Sequence, residues 1–222
     1  GNIFAGVDLQ SDFNTVAGNY IGTDATGTSG LGNGVGVQVT GWSNTVGGSK
    51  VASRNVISGN QGDGVTLNCD SPNVLGNYIG VDATGATALP NMYGIEAYGS
   101  SNVHIGGKSA GARNVISGNA NDGIYLSYLY GPAVIEGNYI GTDATGMLDR
   151  GNVADGIVAS ASLNMIIGGT NANEANLISG NNQHGVAFFT GANGNTVRNN
   201  FIGVTAAGTA VLGNTGSGKS CT

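Results

Sequence analysis

The chain has 222 residues, of which 42 are Gly and 28 are Asn; only 9% are charged, 40% are hydrophobic, and the formal net charge is −6. Gly and Asn are poor helix formers, which argues against a helical protein; Val and Ile are too frequent and charge too sparse for a disordered chain, and Gly has no period of three, which excludes collagen. With seven Lys and Arg and no basic stripe, nucleic acid is not an expected partner, and no apolar run approaches the roughly 20 residues of a membrane-spanning helix.

In chain order, a first unit reads GVDL (6–9), NTV (14–16) and GNYIG (18–22), and is followed by a TDATG loop (23–27). The pattern restarts with GVQV (36–39), NTV (44–46) and, after a Gly-Gly pair, RNVIS (54–58). It returns as GVTL (64–67), NVL (73–75) and GNYIG (76–80), then as GIEA (94–97), NVHI (102–105) and RNVIS (113–117). The last three units are GIYL (123–126), AVI (133–135), GNYIG (137–141); GIVA (156–159), NMII (164–167), ANLIS (175–179); and GVAF (185–188), NTV (195–197), NNFIG (199–203).

Aligned, these units give a column of Asn (Asn19, Asn55, Asn77, Asn114, Asn138, Asn176, Asn200) and, two positions on, an unbroken column of Ile (Ile21, Ile57, Ile79, Ile116, Ile140, Ile178, Ile202). Each unit holds three short apolar segments with period-2 alternation between Gly and Asn. Such segments are too short for an independent sheet, but stacked copies pair in register with about 4.8 Å between rungs. Ile then stacks on Ile inside and Asn on Asn at the corners. The expected fold is therefore all-β, a parallel β-helix of about seven rungs with three short strands each, forming one domain over 1–214. Alternate rungs are longer by two insertions, the TDATG loop and the stretch after Gly-Gly, and both are expected to project from corners.

Gly1 falls in mid-pattern, so the sequence reads as a segment of a longer protein. Residues 215–222 read as a flexible, off-repeat tail. Gly213–Ser220 fits the phosphate-loop pattern G-x-x-x-x-G-K-[ST], but only Cys221 and Thr222 follow, leaving no room for the helix whose N-terminus would hold a phosphate. Two cysteines, Cys69 and Cys221, are too few for a disulfide framework and read as incidental thiols.

Candidate chemistry lies first at the position preceding Gly-Val/Ile, where successive rungs carry Asp63, Tyr93, Asp122, Asp155 and His184. Asp122, Asp155 and His184 would stand about 5 Å apart, close enough for acid–base work. The same Asp-Gly pairs also read as turn residues bonding their own backbone. Glu96, Tyr98 and Tyr125 should face outward from the same sheet and extend a binding surface. His104, in the NVHI strand, reads as a surface residue. A second outward stripe, between the Asn and Ile columns, holds Tyr20, Tyr78, Tyr139 and Phe201, which could stack on sugar rings or another chain unless the loops fold over it. Asp24, Asp82 and Asp143 of the TDATG loops are hard ligands suited to Ca²⁺, but one carboxylate per loop is too few to bind tightly. No metal or other cofactor is expected.

The alternation of GNYIGTDATG, GN…GV/GI and IGG…RNVISGN over about residues 2–214 resembles bacterial right-handed parallel β-helix repeat proteins. Right-handedness rests on that resemblance and on the crossover rule. It implies a secreted or cell-surface protein, with relatives among polysaccharide lyases, glycosidases, epimerases, adhesins and phage tailspikes. Polygalacturonase-like members carry a paired Asp-Asp, a Gly-His-Gly and an Arg-x-Lys; this chain offers only Gln183-His184-Gly185. Pectate-lyase-like members need an Arg or Lys base beside calcium-binding acids, whereas Arg54 and Arg113 belong to the repeat itself and only Arg150 and Arg198 stand outside it. The expected role is thus an extracellular scaffold or adhesion module presenting a face or loops to a glycan or a cell-surface protein. The alternatives are a polysaccharide-active enzyme at Asp122, Asp155 and His184, and a fibre module stacking end to end.

Overall fold

A computed structural model of the chain describes residues 1–215. Residues 216–222, and with them Cys221, most of the expected tail and the Gly-Lys-Ser end of the phosphate-loop pattern, lie outside the described residues.

The chain winds into three parallel sheets of seven strands each. The first sheet runs from Ala5–Leu9 to Val186–Phe188, the second from Thr15–Val16 to Thr196–Arg198, and the third from Tyr20–Ile21 to Phe201–Ile202. Each rung contributes one strand to each sheet, so the seven rungs make a parallel β-solenoid of about six full turns from first to last. Rung four shows the plan: Ile95–Tyr98, then Val103–Gly106, a short 3-10 turn at Ala110–Ala112, then Val115–Ile116.

The Ile column is continuous, with each Ile paired to the next from Ile21 to Ile202. It packs inside with Val7, Val37, Val65, Ile95, Ile124, Ile157 and Val186 of the first sheet and with second-sheet Val46, Val74, Ile105, Ile135 and Ile167. Gly stands just before the first inward Val or Ile of each first-sheet strand because its Cα lies against that Ile column; a Cβ on Gly94 would lie 2.6 Å from Ile116 Cγ2. Cys69 is buried in this core, and burial pushes its thiol up to about 11.

Two Asn ladders hold the corners. In the first, each backbone N–H and side-chain amide donates to the Oδ1 of the next Asn, from Asn19 through Asn114 to Asn200. The second was not anticipated: Asn33, Asn60, Asn91, Asn119, Asn152, Asn181 and Asn214 are linked in the same way at the corner entering the first sheet, and Asn2 joins them through its backbone N–H alone. In both, Nδ2 of the interior members also donates to a strand carbonyl one rung back, as Asn114 does to Val74 at 2.8 Å. Buried amides are therefore paired in a closed pattern, which removes the cost of placing so many polar side chains inside.

Candidate functional site

The outer face of the first sheet gathers the acids and tyrosines of the central rungs. Register places Glu96 beside Thr66 and Tyr125, and Tyr98 beside Ser127. Two aromatic pairs result: Tyr93 with Tyr125, ring centroids 5.4 Å apart, and Tyr98 with Tyr128, 5.6 Å apart. Tyr98 is 53% exposed, Tyr128 is exposed, and Tyr130 beyond it is 84% exposed. Tyr128 and Tyr130 were not anticipated, because they fall past the strand, and Tyr128 turns outward at a positive φ of 53°.

Asp122, Asp155 and His184 are adjacent as the spacing requires, and their geometry is specific. Asp122 Oδ1 accepts the Asp155 N–H at 2.8 Å. Asp155 Oδ1 accepts the His184 N–H at 2.6 Å and meets His184 Nδ1 at 2.8 Å. Each carboxylate thus caps the next rung rather than its own turn. Asp155 is only 4% exposed and Asp122 is buried, while the His184 side chain is partly accessible. Burial pushes the Asp122 carboxyl above the ordinary range and the neighbouring Asp155 charge adds to this, against the Asp155 amide, which works the other way. The arrangement orients an imidazole with a carboxylate behind it, the relation a general base requires. His104 is partly exposed on the second sheet and meets Glu136 at 3.3 Å.

Glu96 and Asp63 form the other acidic group on this face. Burial, then a hydrogen bond with Asp63 and the charge of that residue, raise Glu96 to about 7, so Glu96 still holds its proton close to neutrality. Folding then takes up a proton that the unfolded chain has released above about pH 4.3. Stability from this group is complete below that value and is lost as pH rises toward 7. Glu96→Gln is expected to raise the melting temperature at pH 8 and leave it unchanged at pH 4. For a half-exposed side chain the gain, discounted for solvent screening, is about 1 kcal/mol, or roughly 2–4 °C. Thermal melts of both proteins at the two pH values check this; equal shifts would exclude the raised Glu96 carboxyl.

The outward stripe on the third sheet is mostly covered. Tyr20 and Phe201 are exposed and Tyr139 is partly so, but Tyr78 is only 8% exposed. Outward from the sheet is not outward to solvent here, because the TDATG loops lie across it. Tyr78 packs with Val56, Val81 and Val115 in a small second core against Ala83, Tyr139 and Ala144. Although copies are two rungs apart, the loops touch: Ala83 N–H donates to Gly27 O at 2.9 Å and Ala144 N–H to Gly85 O at 2.8 Å. The other side of these rings carries Arg54 over Tyr78 and Arg113 over Tyr139, a structural use of both repeat arginines.

Within each loop the Asp is occupied by its own turn. Asp82 Oδ1 accepts the Thr84 hydroxyl and the amides of Ala86 and Thr87, and Asp24 and Asp143 do the same in their copies. The Thr28 amide and Thr26 hydroxyl hold Asp24 below the ordinary carboxylate value. At Asp82 and Asp143 burial acts upward but is outweighed by the bonds from Thr84 and Thr87, and from Leu148 and Thr145. In the fourth copy Thr205 stands in place of Asp and its buried hydroxyl has no partner. Among the described residues no three His, Cys, Asp or Glu side chains converge as a metal site, and no helix is long and apolar enough to cross a membrane.

Compared with protein-family models, curated proteins and solved structures, the chain matches none. What the geometry itself defines is a β-solenoid repeat scaffold.

Proposed function

We propose that this scaffold binds a glycan on the outer face of its first sheet, and that it works outside the cell, as the resemblance to secreted β-helix proteins implies. The observation that carries this reading is the open Tyr98–Tyr128 pair, flanked by Tyr130 and standing beside Glu96 and Tyr125. Flat C–H faces of sugar rings suit exposed aromatic rings, and their hydroxyls suit the neighbouring carboxyl and phenol groups. Paired strands hold Glu96 and Tyr125 side by side at a spacing of about 4.8 Å. Binding is favoured over catalysis because the Asp122 and Asp155 carboxylates are buried and already accept backbone amides.

Screening the intact protein against an array of bacterial and plant glycans, followed by calorimetric titration of the hits, tests this. Tyr98→Ala combined with Tyr128→Ala is expected to weaken binding at least tenfold, with an unchanged circular dichroism spectrum. Unchanged affinity in that variant, or no glycan bound by the intact protein, would overturn the proposal.

A second reading, a polysaccharide-active enzyme, is favoured by the Asp155–His184 contact at 2.8 Å. It requires that the intact protein release sugar from a polysaccharide and that His184→Ala stop the release.

A further inference from the structure

Twice along the corner entering the third sheet, the repeat sets an arginine over an aromatic ring of the next rung. Arg54 lies 4.1 Å above the Tyr78 ring and donates its Nε–H to the Gly76 carbonyl at 3.3 Å. Two rungs on, Arg113 lies 4.0 Å above Tyr139 and donates to the Gly137 carbonyl at 3.3 Å. At the third such corner the arginine is replaced by Ala175, the ring is Phe201, and Asn199 stands where Gly76 and Gly137 stand. A cavity of about 170 Å³ opens there, lined by Ala175, Leu177, Phe201 and Ala206 and bordered by Arg113 and Tyr139. Phe201 belongs to the last described rung and is 45% exposed, as is its neighbour Ile202.

We propose that this slot is a binding site for the guanidinium group of an arginine side chain supplied by another protein. The chain itself shows what the slot accepts, since the two equivalent slots are each filled by a planar guanidinium stacked on a ring and tied to a backbone carbonyl. An aromatic face attracts such a cation, and the flat, weakly hydrated guanidinium stacks where a compact ammonium does not. Arg113 forms part of the cavity wall, but its own guanidinium rests on Tyr139, and the ring of the third slot stands two rungs further on, about 10 Å. Arg54 and Arg113 already coexist at the same two-rung separation. This site lies on a different sheet from the tyrosine face and is independent of glycan binding.

The test uses N-acetyl-arginine amide as the probe, titrated into the intact protein while the resonances of the Phe201 ring and the Leu177 and Ala206 methyls are followed by NMR. Saturable shifts with millimolar affinity are expected. The matched citrulline amide, neutral and nearly identical in shape, should give a response at least tenfold weaker, and the lysine amide should also be weaker. Ala175→Arg fills the slot from within and should abolish the response while raising the melting temperature. Ala175→Met, which blocks the slot with a neutral chain, should abolish the response as well. The proposal is overturned if no saturable shift occurs, if citrulline matches arginine, if both blocking variants still respond, or if acetate reproduces the shifts by binding as an anion at Arg113.

Discussion

Replacing Asn114 by Leu is expected to cost about 4 kcal/mol, although the two side chains are close in size and no cavity is made. Asn114 is fully buried. Its Oδ1 accepts from the Asn77 backbone N–H at 2.9 Å and from Asn77 Nδ2 at 3.1 Å, and its Nδ2 donates to the Val74 carbonyl at 2.8 Å and to Asn138 Oδ1 at 2.9 Å. Leu leaves the Asn77 N–H without a partner, removes one bond from the Val74 carbonyl and weakens the two neighbouring amides. Each buried orphan costs about 1–3 kcal/mol. For a chain of this size the melting temperature should fall by roughly 8–16 °C. Asn19, at the exposed start of the same ladder, offers the control: it donates to Asn55 but has no preceding Asn to accept from, so Asn19→Leu should cost less than about 1 kcal/mol. Parallel thermal melts of the two variants decide the matter. Equal losses would mean that the ladder contributes no more inside than at its edge.

The difference between those two positions also shows how far sequence carries. The Ile and Asn columns were legible because stacked rungs repeat the same environment, so a residue needed once is needed seven times. The second Asn ladder was present in plain view, in the Gly-Asn or Pro-Asn pairs ending at Asn33, Asn60, Asn91, Asn119, Asn152, Asn181 and Asn214, but a Gly-Asn pair is also ordinary turn chemistry and hides a buried role. Alternation along a strand correctly put Tyr78 on the outer side of its sheet, yet it carries no information about a loop from elsewhere in the chain folding across that side. Asp122 and Asp155 mark a turn, but bonding the amide of the following rung depends on stacking distance, which no local pattern encodes. The tyrosine pair was half visible: Tyr98 ends a strand, whereas Tyr128 reaches it only through a left-handed backbone position.

Gly106→Ala should be the most damaging single methyl that can be added to a corner of rung four, and the reason lies in the alternation of long and short rungs. Gly106 pairs in register with Glu136, as Gly47 pairs with Leu75 and Gly168 with Arg198. The three glycines belong to the long rungs, where the chain must leave the second sheet sharply to launch an insertion, and they adopt φ of 95°, 89° and 88° at Gly47, Gly106 and Gly168. A Cβ on Gly106 would overlap the Glu136 carbonyl oxygen and sit 2.5 Å from the side-chain amide of Asn138. The left-handed backbone alone costs an L-residue about 1–2 kcal/mol. Displacing well-packed neighbours adds about 1–3 kcal/mol, and here the neighbour is a member of the Asn ladder that cannot move without releasing Asn114. Gly99→Ala separates the two contributions. Its φ is also positive, 57°, but the nearest atom to a new Cβ is in the exposed Tyr130 ring at 3.5 Å, so only the backbone cost of about 1–2 kcal/mol remains. The fall in melting temperature for Gly106→Ala should be about twice that for Gly99→Ala, and urea titration should rank the two in the same order. If the two variants were equally stable, close approach between rungs would not be what reserves Gly106 for glycine.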